Sequence, residues 1–228
     1  MIQVFSTAKL DLGRDFLKVL AIITMTIDHV GTLLYPDLQF LKIIGRLAFP
    51  LFAYLMVLGI DSTQKPWKYM ITILGFAIVS QVPYFLAFEI QPLERLNILF
   101  TLFLGAITLY LFTKKNVLGV VPFLVSIIIN VEGAIYAMLF IILLKLLRSS
   151  AKIGVIAIIA LNLQFILIPD IQFLSILTLP LIILNEKGWF KKEILVQCNY
   201  VYSIRKYAFY IYYPLHLTVL LLITMFFF

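Results

Sequence analysis

Two residues in the first apolar run frame the chemistry, Lys18 and His29, eleven positions apart. Eleven helical steps of about 100° return to within about 20° of the start, so both lie on one helix face, roughly 16 Å apart along the axis. A neutral imidazole is the usual general base near neutral pH. It can take a proton from an attacking hydroxyl or amine, or it can carry an acyl group itself. A lysine three turns away suits the anionic body of a cofactor. Acyl-coenzyme A meets both demands, with phosphates at one end and a thioester on a long arm, and the cytoplasm supplies it. Asp28 adjoins His29 and points about 100° away from it, so it is expected to pair with Arg46 or Lys42. An oxyanion develops when the thioester is attacked, and Arg46 or a buried amide can stabilise it. The catalytic candidates are therefore His29, Asp28 and Arg46. Lys18, with Lys65 and Lys68, is the expected cofactor-binding set, because ammonium groups pair well with phosphate.

The elements that must position these groups follow from composition. Of 228 residues, 63% are hydrophobic and 13% charged. Soluble domains are about 45–50% apolar and about 25% charged. A soluble enzyme, a nucleic-acid-binding domain and a disordered chain are thereby excluded. A membrane-crossing helix needs about 20 apolar residues. The apolar segments are continuous, without the alternation of a barrel strand. The expectation is an all-α, polytopic integral membrane protein of about nine transmembrane helices in one domain, 1–228. The spans fall at about 16–36, 39–60, 66–88, 96–113, 117–131, 133–147, 152–168, 171–185 and 207–227. Loops carrying Lys9, Arg14, Lys65, Lys68, Lys114, Lys115, Arg148, Lys152, Lys187, Lys191, Lys192, Arg205 and Lys206 alternate with loops carrying mainly Asp37, Glu89, Glu94, Glu132 and Asp170, with Lys42 and Arg95 as the basic residues of that side. By the positive-inside rule the N-terminus is cytoplasmic and the C-terminus outside, in a multi-pass protein of the cell membrane. The net charge of +7 is spread over one side's loops, so no nucleic-acid partner is implied. Residues 1–15 lack the apolar core of a signal peptide. The basic 187–206 loop, with Trp189, Phe190, Ile194 and Leu195, is expected on the inner leaflet surface. Cys198 stands alone, so neither a disulfide nor a cysteine metal site is expected, and no metal is implied.

Polar groups inside a membrane are costly and mark function. His29 and Arg46 fall at similar depth, roughly 10 Å below the outer surface. Gln81, Asn97, Thr101, Glu132, Tyr213 and His216 belong to the outer half or to mid-depth and are the expected substrate contacts. The polar set is expected to converge on one cavity opening outward.

Several stretches carry a resemblance: LKVLAIITMTIDHVGTLLYP, IGRLAFPLFAYLMVLGI, GFAIVSQVPYFLAF, LNILFTLFLG, VEGAIYAMLFI and YIYYPLHL. Together they cover most of the chain, and it resembles the TraX family, named for a pilin N-acetylase of conjugative plasmids. It is also similar to the multi-span acyltransferases that decorate cell-surface glycans, which have a basic residue, ten intervening residues and a catalytic histidine near the first span. Lys18 and His29 match that pattern. The resemblance implies acetyl-coenzyme A as acyl donor, His29 as the catalytic histidine, and Lys18 and Arg46 as supporting cations. Relatives carry an arginine where Thr72 stands, and a His–Thr pair where Ser62 and Thr63 stand. The implied activity is an O- or N-acyltransferase acting on an envelope glycan hydroxyl, an amino sugar or a protein amine. The competing reading is a small proton-coupled transporter with Asp28, His29 and Arg46 as its relay. The paired broken halves common in transporters are not evident.

Overall fold

The computed structural model describes residues 8–167, 170–196 and 199–227. Cys198 and the side chains of Lys9, Ile194, Leu195, Arg205 and Lys206 lie outside the described set. Among the described residues the elements are helical, apart from one short two-stranded ribbon. Strand β1 (Ala8–Asp11) leads into α1 (Leu12–Leu33), α2 (Gln39–Gly45), α3 (Ala48–Ser62), α4 (Pro66–Ala87) and α5 (Ile98–Thr113). There follow α6 (Val120–Ile128), α7 (Ala134–Ser149), α8 (Ala151–Leu167), a 3-10 stretch (Ile171–Thr178), α9 (Leu179–Glu186), β2 (Glu193–Val196) and α10 (Asn199–Phe227).

Helix α1 starts where the Asp11 side chain caps it, accepting from the Arg14 N–H at 3.1 Å. Its buried stripe, Leu17, Ala21, Met25 and His29, advances four residues at a time, the spacing that keeps side chains on one face. The apolar stripe thus carries His29 to the interior. Helix α3 is central: ten of its fifteen residues are buried, among them Leu51, Tyr54 and Val57. It has no polar face because it has neighbours all round. Phe140, Ile141 and Leu144 of α7 and Leu217 of α10 belong to the same core. Outward-facing positions are apolar as well, as Ile71 (64% exposed) and Val79 (60%) show. Apolar surface on both sides of a helix is what a lipid environment selects.

Nine full-length spans are not what the described residues contain. Four helical segments are long and apolar enough to cross a membrane: Leu12–Leu33, Gln39–Ser62, Pro66–Ala87 and Tyr207–Phe227. Shorter apolar helices occupy Ile98–Thr113, Val117–Ile128, Ala151–Ile166 and Ile171–Glu186. Hydropathy counts apolar residues, and here several are spent on helices that stop early to pack on one another. Polar and glycine-containing turns end them, as at Asn130 (φ 46°) and Gly133 (φ 75°). The expected second span is broken into α2 and α3. Pro50 explains the break, since its ring denies the Arg46 carbonyl a helical partner. The turn tightens instead, with the Arg46 N–H reaching Lys42 O at 3.1 Å and Ile43 O at 3.2 Å.

The β1–β2 ribbon is the departure from the all-helical expectation. It pairs antiparallel, Ala8 with Val196 and Asp11 with Glu193. Part of the expected 187–206 surface loop is thus built into the fold, and the segment before α1 is tied to the segment before α10.

Candidate functional site

The outer cavity holds about 190 Å³ and is lined by Asp28, His29, Arg46, Glu132, Gln172 and Tyr213 among others. Asp28 and His29 are successive residues of α1 and diverge as helical geometry requires. His29, 7% exposed, turns towards α10, where its Nδ1 lies 2.8 Å from His216 Nε2 with the rings parallel. Phe88 of α4 stands edge-on to it, centroids 5.6 Å apart. Asp28 turns towards the α2–α3 break, and its Oδ1 accepts from Arg46 Nη2 at 2.9 Å. Lys42, the other partner considered, reaches Pro36 O instead at 2.9 Å. Arg46 also donates from Nη1 to Gln172 Oε1 at 3.0 Å and from Nε to Lys42 O at 3.3 Å. Three elements thereby hold one guanidinium at the cavity wall. Gly45 is needed here, because a side-chain carbon at that position would run into the Asp28 carboxylate.

Glu132 enters from the turn before α7, and Arg95 is the nearby cation acting on it. Gln81, Asn97 and Thr101, expected as substrate contacts, are not among the cavity-lining residues. They brace the two turns that present Arg95, before α5, and Glu132, before α7. Gln81 donates to Pro92 O at 3.0 Å and Arg95 O at 2.9 Å, while its Oε1 accepts from Asn97. Thr101 donates to Glu132 O at 2.6 Å. These side chains pair with backbone groups of the turns they meet. His216 likewise stands behind His29 and outside the lining. Tyr213, which does line it, is 4% exposed, and its hydroxyl has no hydrogen-bond partner among the described residues.

A second cavity, of about 200 Å³, opens near the start of α1 and is lined by Arg14, Asp15 and Lys18 together with Phe52, Tyr69 and Tyr210. Lys18 pairs with Asp15 at 3.2 Å, and Arg14 with Asp11 at 3.2 Å. Lys65 and Lys68 are not in this lining; they sit at the N-cap and first turn of α4. Arg14 takes the place expected for them. It could have been found from its spacing, one turn before Lys18 on the same helix face. Tyr136 and Gln172 of the outer cavity were also missed. Tyr136 lies inside an apolar run, and Gln172 lies in a segment whose 3-10 winding hydropathy does not reveal.

Between the two cavities lies a narrow apolar waist of about 10 Å³. It shares Met25, Ile98 and Tyr213 with the outer cavity, Leu99, Leu102, Phe209 and Tyr210 with the inner one, and Phe52 with both. A polar mouth with two cations, an apolar constriction and a polar chamber lined by His29, with His216 behind it, thus follow one another along α1. Among the described residues no cluster of His, Cys, Asp and Glu has a metal-binding arrangement.

The sequence pattern of the family described as TraX protein matches residues 13–224. An uncharacterised protein of Rickettsia prowazekii (strain Madrid E) is 40% identical over 102 residues, which are 45% of this chain and 38% of that protein. A probable fimbrial assembly protein, FimC of serogroup H1, from Dichelobacter nodosus is 26% identical over 238 positions, covering 92% of this chain and 95% of the relative. Protein TraX of Escherichia coli (strain K12) is 34% identical over 94 residues, 41% of this chain and 37% of that protein. The match thus spans under two fifths of the Rickettsia and Escherichia proteins and nearly all of the Dichelobacter one. No solved structure matches the chain.

Proposed function

Since the chain belongs to the TraX protein family, we propose that it is an integral membrane acyltransferase, moving an acetyl group from cytoplasmic acetyl-coenzyme A to an envelope acceptor. The observation that carries this reading is the alignment of the two cavities through the waist. Lys18 and Arg14 suit phosphates at the mouth. Phe52, Leu99 and Leu102 suit a thin, largely apolar arm. His29 and Tyr213 stand where the thioester would emerge. The printed name of the Dichelobacter relative speaks of fimbrial assembly, which favours an amine on a fibre subunit over a glycan hydroxyl as acceptor.

In this mechanism His29 takes the proton of the attacking amine or hydroxyl as the new bond to the acetyl carbonyl carbon forms. Arg46 and Tyr213 line the chamber in which the oxyanion develops, and the Arg46 guanidinium is the charge suited to stabilise it. When the C–S bond breaks, His29 returns the proton to the departing thiolate, so one acetyl group and one proton change places. His29 as a transient acyl carrier is the variant of this scheme.

The proposed topology retains a cytoplasmic N-terminus, an external C-terminus and nine crossings, several of them through short helices in thinned bilayer. The directions of α1 and α10 support it. Thr26 meets Tyr212 at 2.7 Å and His29 meets His216 at 2.8 Å, so the two helices run parallel and enter from one side. A reporter fused after Phe228 that works only in the cytoplasm is expected to stay silent. Strong reporting would mean an even number of crossings.

The reading is tested with membranes given radiolabelled acetyl-coenzyme A and purified fibre subunits or envelope glycan. Label is expected in the acceptor. The double variant Arg14→Ala and Lys18→Ala is expected to raise KM for acetyl-coenzyme A about 10²-fold, at about 1.5 kcal/mol for each of the two lost charged contacts, with the protein still folded. An unchanged KM would mean that these cations only reach out to the interface. Label in no acceptor would end the transferase reading.

A further inference from the structure

His29 and His216 form a directed chain, and its direction can be deduced from one end. His216 Nδ1 lies 2.9 Å from the Tyr212 carbonyl oxygen. A carbonyl only accepts, so His216 Nδ1 must carry the hydrogen. In the neutral ring the other nitrogen is then an acceptor. That nitrogen, His216 Nε2, faces His29 Nδ1 at 2.8 Å, so His29 Nδ1 must donate. The lone pair of His29 is left on Nε2, which makes no hydrogen bond among the described residues, in the one histidine that lines the outer cavity. His216, 6% exposed, is absent from that lining. Its ring is clamped by Tyr212, stacked at 5.1 Å, and by Tyr213, edge-on at 5.5 Å. Tyr212 is itself anchored to α1 through Thr26 at 2.7 Å.

We infer that His216 is a positioning residue: it accepts from His29 Nδ1–H and so holds His29 in the tautomer whose Nε2 lone pair points into the outer cavity. The role deepens the transferase reading and rests on it for its catalytic meaning, but the tautomer assignment stands on geometry alone. When His29 Nε2 takes the acceptor's proton, the imidazolium keeps its Nδ1–H on His216 Nε2. The positive charge then has a fixed acceptor beside it in a site poor in water. A carboxylate plays this part in the serine protease triad, where losing the correct tautomer costs about 10⁴-fold. A neutral imidazole is the weaker acceptor, so a smaller effect, about 10- to 100-fold, is expected here. The pair also explains why the chain's two histidines, 187 positions apart, are brought together.

The experiment uses the full-length protein labelled with ¹⁵N-histidine in lipid, at about pH 8, above the usual imidazole range. With two histidines in the chain, each ring nitrogen can be assigned. In the wild type both rings are expected as Nδ1–H tautomers with unprotonated Nε2. His216→Phe keeps a ring in place but removes the acceptor. His29 is then expected to populate the Nε2–H form, and kcat to fall about 10- to 100-fold with little change in KM. His216→Gln restores an acceptor oxygen near the lost Nε2 and should recover most of both readouts. Wild-type His29 protonated on Nε2 would overturn the inference. So would His216→Phe acting at the wild-type rate with its His29 tautomer unchanged. A Gln variant as impaired as the Phe variant would overturn it in favour of packing alone. An Nδ1–H tautomer on His29 in a protein that labels no acceptor would overturn the transferase reading and leave the assignment supported.

Discussion

His29→Ala is expected to lower the acetyl-transfer rate about 10²- to 10⁴-fold if the imidazole is purely a general base, and further if it carries the acyl group. The fold should persist. His29 closes the buried stripe of α1 at the cavity wall, and Leu17, Ala21 and Met25 beneath it are unaffected. The loss should fall on kcat, since the cations of the inner mouth still hold the donor. Withholding the acceptor separates the two roles. A carrier traps label on the wild-type protein and none on His29→Ala; a general base traps label on neither. Full transfer by His29→Ala would defeat the mechanism. A proton-linked flux lost in the same variant, with no acetyl transfer by the wild type, would give the case to the transporter.

Asp28→Ala is expected to be the most damaging single change to the site's framework. The Asp28–Arg46 pair is mostly sheltered, with side chains 21% and 28% exposed. Removing one partner leaves the Arg46 charge without its counter-ion. Fully exposed pairs contribute up to about 1 kcal/mol, and breaking a fully buried one costs about 3–5 kcal/mol. This pair lies between, so about 2 kcal/mol is expected. For a chain of this size that is a drop of about 4–8 °C in Tm, measurable in detergent. Adding Arg46→Gln to Asp28→Ala should recover part of the loss, because it removes the stranded charge. A single variant as stable as the wild type would show that the carboxylate is not what holds Arg46.

What was legible in the sequence was depth; what was not was rotation. Asp28, His29 and Arg46 stand out because ionisable residues interrupt apolar runs, and their positions along the helices placed them at one level. Nothing in hydropathy says which way Gln81 or Thr101 faces; the structure turns them to the backbone of Arg95 and Glu132, in two different turns. Lys65 and Lys68 stand outside the lining of the cavity near the start of α1. They flank the start of α4, whereas Arg14 and Lys18 belong to the helix that passes the cavity. The break at Arg46 could have been read from Pro50, four residues on, had it been weighed against the apolar run around it. The ribbon could not: two four-residue strands far apart in sequence pair through backbone groups, and four residues are too few for a pattern to register.

That ribbon has a bearing on biogenesis. It joins the segments that lead into α1 and α10, the helices bearing the two histidines. Sliding one helix past the other by a single turn would move the rings apart by about 5.4 Å, far beyond a hydrogen bond. Backbone pairing at the helix entrances therefore acts as a stop that sets their relative height. The two strands lie far apart in sequence, so the two histidines come level only once α10 stands beside α1 and the ribbon has closed.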